Sequence, residues 1–205
     1  MLRSVAFDLF GSPRCVACAR PGDVWCPACR DLADRPPEGS SPIPFVARVL
    51  APWAYEGAAR DLILALKLRG RRAAAGPLVR GMVAEARAAG VVAEAVCWVP
   101  GRKRDGRTRG FDHAEILARG VAAGLGLPAA PALVRARDAI DQTRLGAGDR
   151  RRNLAGAFAA RPIRGVGSVV LVDDLVTTGT TASECGRALR SVRISQIDVI
   201  CACRA

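Results

Sequence analysis

A chain of 205 residues and 21.5 kDa is long enough for one well-buried domain and a small additional module. With 50% hydrophobic residues it is not a disordered chain, and a formal charge of +12 calls for an anionic partner such as polyphosphate, nucleic acid or an acidic surface. Its apolar runs are short or broken by Gly, Pro and acids, and residues 1–10 hold Arg3 and Asp8 without an apolar h-region, so no membrane insertion and no signal peptide are expected, and the location expected is cytoplasmic.

The first feature along the chain is a pair of C-x2-C knuckles, Cys15 with Cys18 and Cys26 with Cys29. Knuckles at this spacing bring four thiolates to one tetrahedral Zn²⁺. Disulfides are the weaker explanation in a chain without a secretion signal. Iron in a rubredoxin-like four-cysteine site stays open, because thiolates alone do not choose the metal. Four protein ligands leave no open position, so the site is read as structural. Cys97, Cys201 and Cys203 lie in strand-like surroundings and are read as small core residues.

Residues 1–35 form this zinc-binding module, 36–47 a Pro-rich linker, and 48–205 a second domain. Residues 46–55 read as extended, 58–68 and 73–89 as helices, and 95–99 as a short strand stopped by Pro100. A helix is predicted over 112–124, with Asp112 as N-cap and Glu115 placed for an approximate capping box. Strand and helix alternate, and acidic and glycine signals follow the strands, which predicts a parallel sheet with ligands at the strand ends. Basic stretches at 67–72, 102–109 and 135–152 fall beside those ends and suit anion contact for a subset of their arginines.

Residues 169–181 carry the most chemistry. Four apolar residues, mostly β-branched, end in Asp173 and Asp174, and Thr177-Thr178-Gly179-Thr180-Thr181 then opens a helix predicted over 182–189. Such a turn aims backbone N–H groups and a helix N-terminus at one point, and its hydroxyls add donors to a phosphate while Gly179 allows close backbone approach. The two carboxylates would repel that phosphate but suit vicinal hydroxyls or hydrated Mg²⁺. A ribose 5-phosphate has both halves. His113, the one histidine, could shuttle a proton beside the 102–109 loop, yet an early helical position reads more simply as capping or packing. No dedicated general base is evident.

The 169–181 run resembles the fingerprint loop of type I phosphoribosyltransferases, which binds phosphoribosyl pyrophosphate. Together with the four-cysteine module, Leu64-Ala-Leu-Lys-Leu-Arg-Gly70, Val99-Pro100 with Arg109-Gly-Phe111, Arg137 to Gln142 and Arg151-Arg-Asn-Leu-Ala-Gly-Ala-Phe158, it identifies the chain as similar to the ComF family. Where that family's pattern has Asn-Gln-Ala, this chain has Asp112-His113-Ala114. The resemblance implies an α/β fold, a type I phosphoribosyltransferase-like parallel sheet flanked by helices over 48–205, with the small N-terminal zinc module. It implies Asp173 and Asp174 on the ribose hydroxyls, with Arg109 and Arg137 as further catalytic candidates. Ligand contacts are implied for Thr177, Thr178, Gly179, Thr180, Thr181, Lys67, Arg104, Gln142, Arg150 and Asn153. Its cofactors would be structural Zn²⁺ and Mg²⁺ with phosphoribosyl pyrophosphate.

Two readings follow. In one the protein is a glycosyltransferase of phosphoribosyltransferase type, linked to DNA uptake, whose acceptor the sequence does not name. In the other it is a phosphoribosyl pyrophosphate sensor whose basic surface binds single-stranded DNA and partners of the competence machinery. A single-strand platform needs exposed aromatic rings, and Trp25, Trp53, Tyr55 and Phe111 are the candidates, each with core packing as the plainer assignment.

Overall fold

Residues 168–176 have the composition of a strand buried on both faces, and in the structure, a computed structural model describing residues 13–37, 41–101, 112–136 and 155–205, that strand is central. The elements are α1 (Pro27–Asp31), β1 (Arg48–Leu50), β2 (Trp53–Ala54), α2 (Gly57–Lys67), a 3₁₀ turn (Arg72–Ala74), α3 (Ala75–Ala88), β3 (Ala95–Trp98), α4 (His113–Leu125), β4 (Leu133–Arg135), β5 (Phe158–Ala160), β6 (Ser168–Val176), α5 (Thr180–Ser191) and β7 (Gln196–Arg204).

The main sheet runs β1-β7-β6-β3, all parallel, with β2 also pairing β7. The expected parallel sheet flanked by helices is therefore present. The extended reading of 46–55 corresponds to two short edge strands rather than one, because Pro52, between them, has no N–H for the ladder. On the far edge, Val96 bridges Ala129 in parallel and so shields β3. β4 and β5 form a separate antiparallel pair that the sequence reading did not separate from its basic stretch.

Both faces of the sheet are covered. Against one lie α2, α3 and α4, whose apolar residues recur at helical spacing: Leu62, Ile63 and Leu66 of α2, Leu78 and Met82 of α3, and Leu117 and Val121 of α4 are fully buried. Each such burial contributes about 1.5–3 kcal/mol. Against the other face lies α5, through Ala182, Cys185, Ala188 and Leu189. Cys97, Cys201 and Cys203 are buried as expected, and burial pushes the Cys97 and Cys203 thiols up to about 12.

The cysteine module does not hang free. Cys15, Trp25 and Cys26 belong to the same buried cluster as α2 and α3. The Ala54 N–H donates to the Asp34 carbonyl at 2.8 Å, and Arg35 pairs with Glu85 of α3 at 2.8 Å.

Candidate functional site

The four cysteines are folded into one cluster that could hold a metal ion. Their sulfurs all lie within 4.8 Å of one another, Cys15 and Cys26 buried and Cys18 exposed. Burial by itself would raise the Cys15 thiol, but the backbone N–H groups of Cys26, Cys18 and Ala17 outweigh it and bring it down to about 6. Such N–H···S bonds favour the thiolate that a metal needs. The donor set and its closeness fit one four-coordinate ion.

β6 runs four residues past the apolar stretch, so Asp173 and Asp174 lie within the strand and the turn begins only at Thr177. Strand pairing continues beside them, with Asp173 opposite Cys201 and Leu175 opposite Cys203. The helix starts at Thr180, two residues earlier than its apolar period indicated, because the N-cap is Gly179. Gly179 has φ +72°, a left-handed conformation that favours glycine, and a Cβ there would strike the side chain of Ile43 from the linker. The close approach that requires glycine is thus made by the protein's own chain. Thr177 and Thr178 are exposed, Thr180 and Thr181 are half-buried, and the Thr178 and Thr180 hydroxyls lie 2.9 Å apart. All five residues of the turn therefore surround one helix N-terminus, where N–H groups remain without intrahelical acceptors.

The adjacent carboxylates go different ways, as successive side chains on a strand must. Asp174 is 3% exposed and faces the α2–α4 side. Lys67, the last residue of α2, donates to Oδ1 at 2.8 Å, and its Nζ lies 2.7 Å from Oδ2, although Oδ2 accepts no aligned hydrogen bond. His113, the first residue of α4, places Nε2 2.8 Å from Oδ2. Burial would raise Asp174, but the close His113 imidazole and the Lys67 charge outweigh it and hold it below its ordinary value. The same pairing raises both partners: burial disfavours their charge, and the Asp174 carboxylate overrides it. Asp173 is half-buried, accepts the Asp174 N–H at 2.9 Å, and is pushed up to about 7, first by burial and then by the Asp174 charge. Burial raises the thiols of Cys185 and Cys201, both in the α5-side cluster, and the Asp173 charge adds to it.

Further side-chain contacts fix the residues around α4, β4 and β5. Asp112 caps α4 through Oδ1, accepting the Ala114 and Glu115 N–H groups at 2.9 and 3.4 Å, while its Oδ2 accepts the Gly101 N–H at 2.9 Å. One side chain thereby joins Gly101 to the start of α4. The reciprocal half of the expected capping box is replaced, since Glu115 pairs with Arg119 at 2.8 Å. Arg135 donates to the Pro100 carbonyl at 3.2 Å and stacks on Phe158 at 5.0 Å, and Glu184 of α5 accepts the Gly156 N–H at 3.0 Å.

Of the expected site residues, Lys67, Asp173, Asp174 and the 177–181 turn are brought together at the C-terminal ends of the strands. Arg104, Arg109, Phe111, Arg137, Gln142, Arg150 and Asn153 lie outside the described residues. His113, read from the sequence as a proton shuttle or, more simply, a capping or packing residue, lies beside Asp174. It does not cap, because Asp112 does. Its only local signal was its place immediately after that cap, and nothing local shows that α4 aims it at Asp174.

No family model matches the chain. Among curated proteins, the DNA utilization protein YhgH of Salmonella typhi is 36% identical over 98 residues, which cover 47% of this chain and 43% of that protein. Competence protein F of Haemophilus influenzae is 35% identical over 98 residues, covering 44% of this chain and 42% of the relative. The similarity thus spans less than half the length of these curated relatives. Among solved structures, glutamine phosphoribosylpyrophosphate amidotransferase from B. subtilis is 25% identical with a TM-score of 0.40, covering 61% of this chain and 25% of that one. Adenine phosphoribosyltransferase from Leishmania tarentolae is 17% identical with a TM-score of 0.36, covering 62% and 54%.

Proposed function

Because this chain is a homologue, over 98 residues, of proteins named competence protein F and DNA utilization protein, we propose that it serves DNA uptake as a ComF-like protein that holds phosphoribosyl pyrophosphate with Mg²⁺. The observation that carries the reading is the β6–turn–α5 unit. A strand ends beside a carboxylate, and a left-handed glycine then starts a helix of 12 residues among four threonines. The 5′-phosphate would sit on the 177–181 turn, accepting N–H and hydroxyl donors. Asp173 and Asp174 would supply the negative charge at the sugar end, and Lys67 with Arg104, Arg109, Arg137, Gln142, Arg150 and Asn153 would surround the pyrophosphate. Mg²⁺ would enter with the pyrophosphate and neutralise charge on it. The four cysteines would hold one structural Zn²⁺.

Transfer of the phosphoribosyl group to an acceptor is the activity this site could support. Departure of Mg²⁺-bound pyrophosphate from the anomeric carbon needs positioning and neutralised charge more than a strong base. Calorimetry of the full chain with phosphoribosyl pyrophosphate and Mg²⁺ is expected to show one site. Release of pyrophosphate in the presence of some base or amine would establish transfer. Binding without turnover across that screen would favour the sensor instead, and absence of binding would remove both.

Single-stranded DNA draws less support from the aromatic residues. Trp25, Trp53, Trp98 and Phe158 are buried and Tyr55 is half-buried, so among the described residues only Phe45 is an exposed aromatic ring. Any DNA affinity would then rest on basic side chains and fall steeply with salt. Titration of an oligonucleotide at two salt concentrations checks this.

A further inference from the structure

We propose that the linker is a working part of the phosphate turn: by filling the space beside Gly179, Ile43 acts as a positioning residue that holds the 177–181 turn in its anion-accepting form. The inference rests on the proposed phosphoribosyl pyrophosphate site and concerns its 5′-phosphate end.

Three observations support it. First, the linker is a strap between the cysteine module and the turn. Cys15, Trp25 and Cys26 belong to the cluster on the α2–α4 face of the sheet, whereas Ile43 and Val46 pack on the cluster of the α5 face. The Ala47 N–H then donates to the Ile197 carbonyl of β7 at 2.9 Å and pins the strap beyond its contact with α5.

Second, α5 is cut away to receive the strap. Gly179 caps the helix, and Gly186 lies seven residues later, two turns on and on the same side. A Cβ at Gly179 would strike Ile43, and one at Gly186 would come within 3.1 Å of the Phe45 Cβ and 3.2 Å of its carbonyl oxygen. Glycine inside a helix lowers its stability, so the close approach of the strap accounts for Gly186.

Third, the strap holds a conformation its residues disfavour. The Val46 N–H donates to the Ile43 carbonyl at 3.2 Å across Pro44 and Phe45, and Phe45 has φ +66°. That is the pattern of a type II turn, whose third position ordinarily takes Gly or Asn. Phe45 is 45% exposed, so burial of its ring does not account for the strain. The turn sets Ile43 against Gly179. A glycine has more backbone freedom to lose than any other residue, and an apolar side chain lodged against Gly179 removes that freedom before a ligand arrives. The phosphate is then left the side of the exposed Thr177 and Thr178. Donors already in place bind an anion more tightly than donors that must be ordered on binding.

Calorimetry of the full chain with ribose 5-phosphate, and separately with pyrophosphate and Mg²⁺, divides the two ends of the site. Ile43→Ala is expected to weaken ribose 5-phosphate roughly tenfold, the order for one backbone residue that must be ordered on binding, and to leave pyrophosphate within about twofold of wild type. Unchanged ribose 5-phosphate affinity overturns the proposal, and so does equal weakening of the two ligands, which would mark a general loss of structure. The ligand-free chain supplies a second readout. The Ser183 N–H, which donates to the Gly179 carbonyl at 2.9 Å, should exchange with solvent faster in Ile43→Ala, while the Leu171 N–H in the middle of β6 keeps its rate. Equal Ser183 rates in wild type and variant overturn the positioning role whatever the chain binds. Ile43→Val is expected to lie between wild type and Ile43→Ala in both readouts, and it decides them if Ile43→Ala fails to fold. Wild type that binds neither ribose 5-phosphate nor phosphoribosyl pyrophosphate sinks the site reading, and the Ser183 exchange then still reports on the strap.

Discussion

Trp25 of the cysteine module meets Trp53 of β2 edge to face, with ring centroids 4.8 Å apart and planes at 78°. Trp53 in turn lies against Gly81 of α3, where an added Cβ would collide with its ring. The module is thereby stitched through two indoles to the helix layer, and both indoles are at least nine-tenths buried.

Metal loss should consequently be felt beyond the module. Chelation of the bound ion, or Cys15→Ser, is expected to lower the melting temperature of the full chain by more than about 5 °C in a single transition, because Cys15 and Cys26 are part of the shared core. Tryptophan fluorescence and calorimetry should report the same midpoint. A small early transition followed by an unchanged main one would show that the module unfolds alone. Metal analysis of untreated protein should find about one equivalent of zinc.

Removing the Lys67 ammonium leaves the Asp174 charge in a buried place. Lys67→Met should destabilise the protein by about 2–4 kcal/mol in urea unfolding, since Asp174 keeps only His113. Adding Asp174→Asn to that variant should recover part of the loss, because the orphaned carboxylate is then gone. Additive losses in the double variant would argue against direct pairing.

Gly179→Ala combines two penalties, a left-handed φ of +72° and a collision with Ile43. The expected cost is about 2–4 kcal/mol. Adding Ile43→Ala should relieve the collision and leave the conformational part of about 1 kcal/mol. Thermal denaturation of the three variants tests this, and an unchanged melting point for Gly179→Ala would contradict the observed turn.

Glu94 offers a pH test away from the strand-end acids. Its Oε2 accepts the Gly167 and Ser168 N–H groups and the Ser168 hydroxyl at 2.7, 2.9 and 3.1 Å, and those bonds hold the carboxyl below its ordinary value. A depressed carboxyl stabilises the fold above its unfolded-state pKa, and the contribution is lost as pH falls through the folded-state value. Wild type should therefore exceed Glu94→Gln in urea midpoint at pH 7, and the gap should close toward pH 3. A gap that is the same at both pH values would exclude the ionised carboxylate as its source.

Much of this protein can be read locally. The C-x2-C pairs name a metal cradle, the apolar run before Asp173 names a buried strand, and the Thr/Gly turn names a helix start, because each depends on chemistry within a dozen neighbouring residues. The edges were less legible: β6 extends through two charged residues because ladder pairing with β7 offsets their low strand propensity. Sequence alone set the alternation of side chains on that strand, and hence that Asp173 and Asp174 could not point the same way. It did not reveal which face each would take or what would meet it there. Lys67, His113 and Asp174 are brought together only when two helices pack on one face of the sheet, and Ile43 reaches Gly179 only when the linker folds back over α5. Those relationships arise from packing between distant segments, where burial and charge pairing act across space and leave no periodic trace along the chain.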